Sequence, residues 1–163
     1  MHTAAVITVS DSCYRGERKD ESGPVVAREL ELAGFRVVLE RVTPDEVKAI
    51  RTALREGLAN AQLVVTTGGT GISHRDVTPE ATRPLCDRVL EGVAEVMRAE
   101  GRKETPYAAL SRSFCGTVGN TVVLNLPGSP KGAVTSLKVA LPLMQHVLKV
   151  LEGNTEHDMG QKA

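Results

Sequence analysis

An α/β sandwich is predicted by three features of the sequence. Short apolar runs rich in β-branched residues alternate with longer segments of helical periodicity. Thr-Pro pairs recur where those helical segments open. Gly119-Asn120 separates the last two apolar runs, as in a tight hairpin. Together they predict an α/β sandwich with a mostly parallel sheet, to which a small β-hairpin adds an antiparallel element. The 163 residues suit one domain. That domain is expected to fill residues 1–153, leaving 154–163 as a flexible tail.

The elements follow in order. Ala4–Ser10 reads as a buried strand and "DSCYRGERKDE" as a charged loop. "SGPVVARELELAG" reads as a helix capped by Ser22, with Pro24 in its first turn and Gly34 at its end. "FRVVLERV" is a second strand. "TPDEVKAIRTALREGLAN" is a helix with a capping box, Thr43 as N-cap and Glu46 at N3. Its core stripe is Val47, Ile50, Leu54 and Leu58. "QLVVTT" is the third strand. "TPEAT" opens the next helix, and Leu90, Val93 and Met97 mark another, with Gly101 as its stop. "TPYAAL" is a third Thr-Pro helix start. "SFCGTV" and "TVVLNLP" form the hairpin. The last helix carries Val134, Leu137, Leu141, Met144, Leu148 and Leu151 on one face, and Pro142 is expected to kink or split it.

Composition narrows function. Twenty Lys and Arg balance twenty Asp and Glu, so the basic excess of a sequence-blind nucleic-acid binder is missing. Aromatics are scarce and Trp is absent, which weakens any base-stacking platform. Cys13, Cys86 and Cys115 are odd in number and contain no CxxC pair; they read as reduced thiols. The four histidines form no HxxxH or HExxH pattern, which argues against zinc. No membrane-spanning stretch or signal peptide is expected, so the reading is a cytoplasmic protein without nucleic-acid or membrane partners.

Three strands end in unusual loops: "SDS" (10–12), "TTGGTG" (66–71) and "LPGSPKG" (126–132). In an open parallel sheet, ligands bind beyond the carboxyl ends of strands, so these loops point to one cleft. The glycines of GGTG permit positive φ and can turn successive N–H groups toward an anion. A tight strand-to-helix turn would use the same glycines. The segment is neither a P-loop nor a dinucleotide fingerprint. Asp76 lies five residues beyond Gly71. An acid beside a phosphate cradle needs a cation, and Mg²⁺ held by one or two carboxylates is the usual one. Asp76 would equally serve as a turn cap or a partner of Arg75. Asp45 would sit at N2 of its helix, where an acid suits the dipole, but it also follows a strand and can share a metal. Ser111-Arg112 suits a phosphate or polar ring, or a solvated loop.

"TTGGTG…RDVTPEAT", "TPDE", "TPYAALSRS" and "LNLPGSPKG", in that order, resemble the molybdopterin adenylyltransferase family, which includes the G domain of gephyrin. "ITVSDS" and "DESGP" match its N-terminal motifs, and the resemblance runs from about Ala5 to Gly153. It implies molybdenum cofactor biosynthesis: the terminal phosphate of molybdopterin attacks the α-phosphate of ATP, with Mg²⁺, and pyrophosphate leaves. It implies a three-layer α/β/α sandwich with a mostly parallel mixed sheet, and a homotrimer, with the molybdate-insertion enzyme as a further partner. Asp45 and Asp76 match the family's catalytic, metal-binding acids. The substrate-binding positions implied are Ser10, Asp11, Asp20, Ser22, Gly23, Thr67, Gly68, Gly69, Thr70, Gly71, Ser111, Arg112, Pro127, Gly128 and Ser129. The alternative is a non-catalytic molybdopterin-binding or carrier protein of the same pathway.

Overall fold

The computed structural model of the chain describes residues 1–154, so the expected tail lies, apart from Asn154, outside the described residues. Strand β1 (Thr3–Val9) is the short apolar run expected near the N-terminus, and six of its seven residues are buried. It pairs in parallel with β2 (Arg36–Thr43) on one side and β3 (Leu63–Thr67) on the other. β3 pairs in parallel with β6 (Thr121–Leu126). The hairpin partner β5 (Phe114–Val118) runs antiparallel to β6, and Gly119 takes φ +55° in the turn between them. A two-residue strand, β4 (Arg88–Val89), closes the edge; its length put it below any periodicity signal. The sheet order among the described residues is β2-β1-β3-β6-β5-β4.

Helices cover both faces, giving the expected three layers. On one face α2 (Ser22–Leu32), α5 (Glu91–Gly101) and α6 (Pro130–Leu151) pack Leu30, Met97, Leu137, Met144 and Leu148 against Val6, Val65 and Leu124 of the sheet. On the other, α3 (Val47–Asn60) and the short α4 (Thr78–Thr82) pack Ile50, Leu54 and Ala81 against Ile7, Val64 and Val123. Even and odd residues of one strand thus feed opposite cores, which is why β1 and β3 read as continuous apolar runs.

Several local expectations give way to tertiary demands. The charged loop after β1 begins with a helical turn, α1 (Asp11–Tyr14), capped by the Ser10 hydroxyl. Ser22 is the first residue of α2 rather than its cap. Asp20 does that work: its Oδ1 accepts from Gly23 N at 3.0 Å. The capping box at Thr43 does not form. Thr43 is the buried last residue of β2, and α3 starts four residues later, with extended Glu46 as N-cap and no side-chain cap bond. Strand pairing with Val9 claims Thr43. "TPYAAL" forms a 3-10 helix (Pro106–Leu110), capped by Thr105, and goes no further.

Pro142 does not split α6, which continues through it for 22 residues because the stripe on either side stays seated in the core. Contrary to the sequence expectation, α6 is long and apolar enough to cross a membrane by length and composition alone. Its buried face, from Ala133 to Leu148, is that of a core helix.

Candidate functional site

The chain leaves β1 toward the α2 face and leaves β3 toward the α4 face, so the carboxyl ends of these neighbours diverge. Such a switch point opens a crevice. The glycine loop sits there under tight steric control. Gly68 takes φ +102° and Gly69 φ +70°. A Cβ on Gly68 would overlap the Val9 carbonyl oxygen, and one on Gly69 would overlap Thr78 Oγ1. Gly128, from the loop after β6, stands so close that its Cβ would lie 3.2 Å from Gly68 Cα. The loops after β1, β3 and β6 therefore meet backbone to backbone.

Thr78 holds the loop from below. Its Oγ1 donates to Gly68 O at 2.9 Å and its N–H donates to Gly69 O at 3.1 Å. Thr67 Oγ1 ties the loop to Pro127 O at 2.7 Å. Both threonines are fully buried.

Two carboxylates flank this loop. Asp45 lies in the connection after β2, outside α3, and exchanges two bonds with Asp11. The Asp11 N–H donates to Asp45 Oδ2 at 2.8 Å, and the Asp45 N–H donates to Asp11 Oδ1 at 2.9 Å. Arg75 forks onto Asp11 at 2.9 and 3.0 Å, so Arg75 pairs with Asp11 and not with Asp76. Asp76 Oδ2 caps a turn by accepting from Ser73 N at 2.9 Å. Asp45 Oδ1 and Asp76 Oδ1 accept no hydrogen bond from the described residues. Asp45 Oδ1 lies 3.3 Å from where a Gly69 Cβ would be, and Asp76 Oδ2 lies 2.7 Å from where a Gly71 Cβ would be. The space beside both acids thus exists because the loop residues are glycines.

The electrostatics separate the acids. Burial raises the Asp45 carboxyl above its ordinary value; the N–H of Asp11 opposes this, while the charges of Asp11 and Asp76 add to it. Burial also works to raise Asp11, but the Asp45 N–H and the Arg75 guanidinium outweigh it and hold Asp11 low. Asp45 is therefore a carboxylate whose charge is undercompensated, the situation a divalent cation relieves. Among the described residues no three Asp, Glu, His or Cys side chains converge into a closed metal cage. Two open carboxylates suit Mg²⁺, which takes its other ligands from phosphate and water.

Two clefts border the loop after β6. One, of about 340 Å³, is lined by Thr70, Gly71, Ser111, Pro127, Gly128 and Ser129, with Tyr107, Ile72 and Met97 as apolar walls. The other, of about 300 Å³, lies between Ser10, Ser22 and Ser129 beside Arg18, Lys19, Asp20 and Glu21. The first suits a planar ring, and in the second Arg18 and Lys19 offer charge to an anion against Asp20 and Glu21 on the same wall. Ser129 borders both while capping α6, its Oγ accepting from Gly132 N at 3.1 Å.

Not every expected residue faces these clefts with a free polar group. Asp20 spends both oxygens inside the protein, on Gly23 N and on Thr8 Oγ1 at 2.7 Å, and a Cβ on Gly23 would overlap Asp20 Oδ2 and Thr8 Oγ1. Asp11 is likewise committed to Asp45 and Arg75. Arg112 donates to loop carbonyls and to Glu80. The sequence reading did not single out Thr78, Arg18, Lys19 or the exposed ring of Tyr107. Thr78 was hidden because Thr-Pro reads equally well as a helix cap. Burial pushes the thiols of Cys86 and Cys115 up to about 11 and about 12, so neither is a nucleophile at neutral pH.

Residues 5–146 match the family model described as "Probable molybdopterin binding domain". A molybdopterin adenylyltransferase of Pyrococcus furiosus is 41% identical over 150 residues, covering 88% of this chain and 88% of that protein. The Drosophila melanogaster molybdenum cofactor synthesis protein cinnamon is 39% identical over 91% of this chain, which spans only 25% of that longer protein. Among solved structures, the molybdopterin biosynthesis enzyme MoaB of Thermus thermophilus superposes with a TM-score of 0.88 at 44% identity, covering 94% of this chain and 98% of its own. The tungsten cofactor synthesizing protein MoaB of Pyrococcus furiosus gives 0.87 at 38% identity, over 93% and 97%.

Proposed function

This chain belongs to the molybdopterin-binding domain family, and from that premise we propose that it transfers an adenylyl group from Mg-ATP to molybdopterin. Its place is molybdenum cofactor biosynthesis. In the transfer, a terminal phosphate oxygen of molybdopterin bonds to the α-phosphorus of ATP. The bond from that phosphorus to the bridging oxygen of the β-phosphate breaks, and pyrophosphate leaves. The observation that carries this reading is the pair of carboxylates, Asp45 and Asp76, beside one glycine loop at the switch point, each keeping an oxygen that accepts no hydrogen bond from the described residues.

The chain's own residues contribute position and charge, which this class of reaction needs more than covalent chemistry. Asp45 and Asp76 would hold Mg²⁺, which when bound neutralises charge building on the phosphate oxygens. Asp11 and Arg75 fix the Asp45 backbone and side chain. The positive φ of Gly68 and Gly69 sets the turn of the loop; the Gly68 N–H is spent on Leu126 O, so the amides that would meet phosphate oxygens are those that follow it. Tyr107 and Ile72 wall the cleft that suits the planar pterin, and Arg18 and Lys19 offer charge to phosphates at the other. In the same reading the enzyme works as a cytoplasmic homotrimer and passes its product to the molybdate-insertion enzyme.

The test is product identification. Incubation with molybdopterin, ATP and Mg²⁺ is expected to give adenylyl-molybdopterin by mass spectrometry. Molybdopterin recovered unchanged from a tight complex would make this a carrier instead.

A further inference from the structure

Ser111-Arg112 looks in sequence like a hydroxyl and a cation set out for a phosphate. The structure uses the arginine otherwise. Arg112 grips the glycine loop at every level. Its backbone N–H donates to Thr70 O at 2.8 Å, its Nε donates to Gly71 O at 2.8 Å, and its Nη2 donates to Asp76 O at 2.7 Å. Its Nη1 donates to Glu80, in the first turn of α4. All three guanidinium nitrogens are therefore engaged, and one planar fork spans the loop from Gly71 to the start of α4. Behind it, Arg98 of α5 donates to Ser111 O and Ser113 O at 3.4 and 3.5 Å, so the segment bearing Arg112 is anchored on the α5 side of the sheet.

We propose that Arg112 is a positioning residue: it clamps the Gly71–Asp76 segment so that Asp76 meets the metal, and it touches neither substrate. Glu80 keeps the fork oriented. The inference rests on the metal role of Asp76 proposed above, but the clamp itself can be read without turnover. Outer residues that orient metal ligands typically change metal affinity by about 10–100-fold when lost. Lysine at 112 would keep the charge and lose the fork.

The test compares wild type, Arg112→Lys and Glu80→Gln by three readouts. Amide hydrogen exchange over residues 69–76 reports the loop. Mn²⁺ binding by electron paramagnetic resonance reports the metal. Molybdopterin affinity without metal reports substrate contact. Arg112→Lys is expected to speed exchange in the loop and to weaken Mn²⁺ about tenfold or more, with molybdopterin affinity unchanged. Glu80→Gln is expected to give a smaller change in the same direction, and it carries the test should Arg112→Lys not fold. Added guanidinium should restore Mn²⁺ binding to Arg112→Ala.

Loss of metal-free molybdopterin affinity in Arg112→Lys would make Arg112 a substrate ligand and overturn the proposal. Unchanged loop exchange in both variants would overturn it as well. Wild type that binds no Mn²⁺ would instead defeat the metal reading, while loop exchange would still decide the clamp.

Discussion

Asp45 carries a charge that the folded chain accommodates poorly. Its carboxyl is raised by burial and by the neighbouring charges of Asp11 and Asp76. A carboxyl raised on folding contributes stability while it is protonated, below its unfolded value near 3.8. That contribution is lost as pH rises through the folded value. Asp45→Asn should therefore stabilise the metal-free protein at pH 7 while abolishing transfer. The gain belongs at the low end of the ~0.5–2 kcal/mol typical of stabilising substitutions, because the group is half-exposed and screened. Urea titrations at pH 7 and pH 3.5 check it; the gain should vanish at the lower pH. Gly69→Ala should go the other way. Its φ of +70° and the overlap with Thr78 Oγ1 predict a loss of at least ~2 kcal/mol by denaturation, along with activity. At this scale the sequence told where acids and glycines stand but not which atoms stay open. Asp11 and Arg112 have the right chemistry for ligands, and their partners lie far along the chain, such as Arg75 for Asp11, while Asp20 is spent nearer by on Gly23 N and Thr8 Oγ1.

The helices show where local signals stop. Thr43-Pro44-Asp45-Glu46 has the pattern of a capping box, yet β1 pairing holds Thr43 in the sheet and frees Asp45 for the crevice. A local rule broken in this way marks a functional loop. Thr78-Pro79 has the same look, and its threonine turns downward to Gly68 O. Thr78→Val should leave that buried carbonyl unbonded and cost about 1–3 kcal/mol in a urea transition. Strand positions, the two core stripes and the hairpin were legible because periodicity and turn chemistry are local. The two-residue β4 and the 3-10 form of "PYAAL" were not, since both depend on what they pack against. Pro142 sits exposed inside α6, where it withholds one helix hydrogen bond. Pro142→Ala should raise stability by about 2 kcal/mol, the helix gain less the unfolded-state restriction that proline supplies. Thermal denaturation measures it, and activity should not change.

The whole molecule explains why the site lies where it does. A sheet ordered β2-β1-β3-β6 sends the chain away in opposite directions between β1 and β3 and leaves a crevice there. The glycine loop sits there, Asp45 and Asp76 stand beside its Gly69 and Gly71, and the two clefts meet at the loop after β6. The α/β class and the loops at one sheet edge could be read from the alternation of segments, and the three layers came with the family resemblance. The order of strands, and with it the adjacency of the loops after β1 and β3, could not, because pairing is a long-range property. The assembly follows from the family reading and is expected to be three copies, which light scattering in solution checks. The most direct measurement is pyrophosphate release from ATP and Mg²⁺, with and without molybdopterin, in wild type and Asp76→Ala. Release is expected to require molybdopterin and to disappear in a variant that still folds. Release at the wild-type rate from Asp76→Ala, or tight molybdopterin binding by wild type with no release, would contradict it.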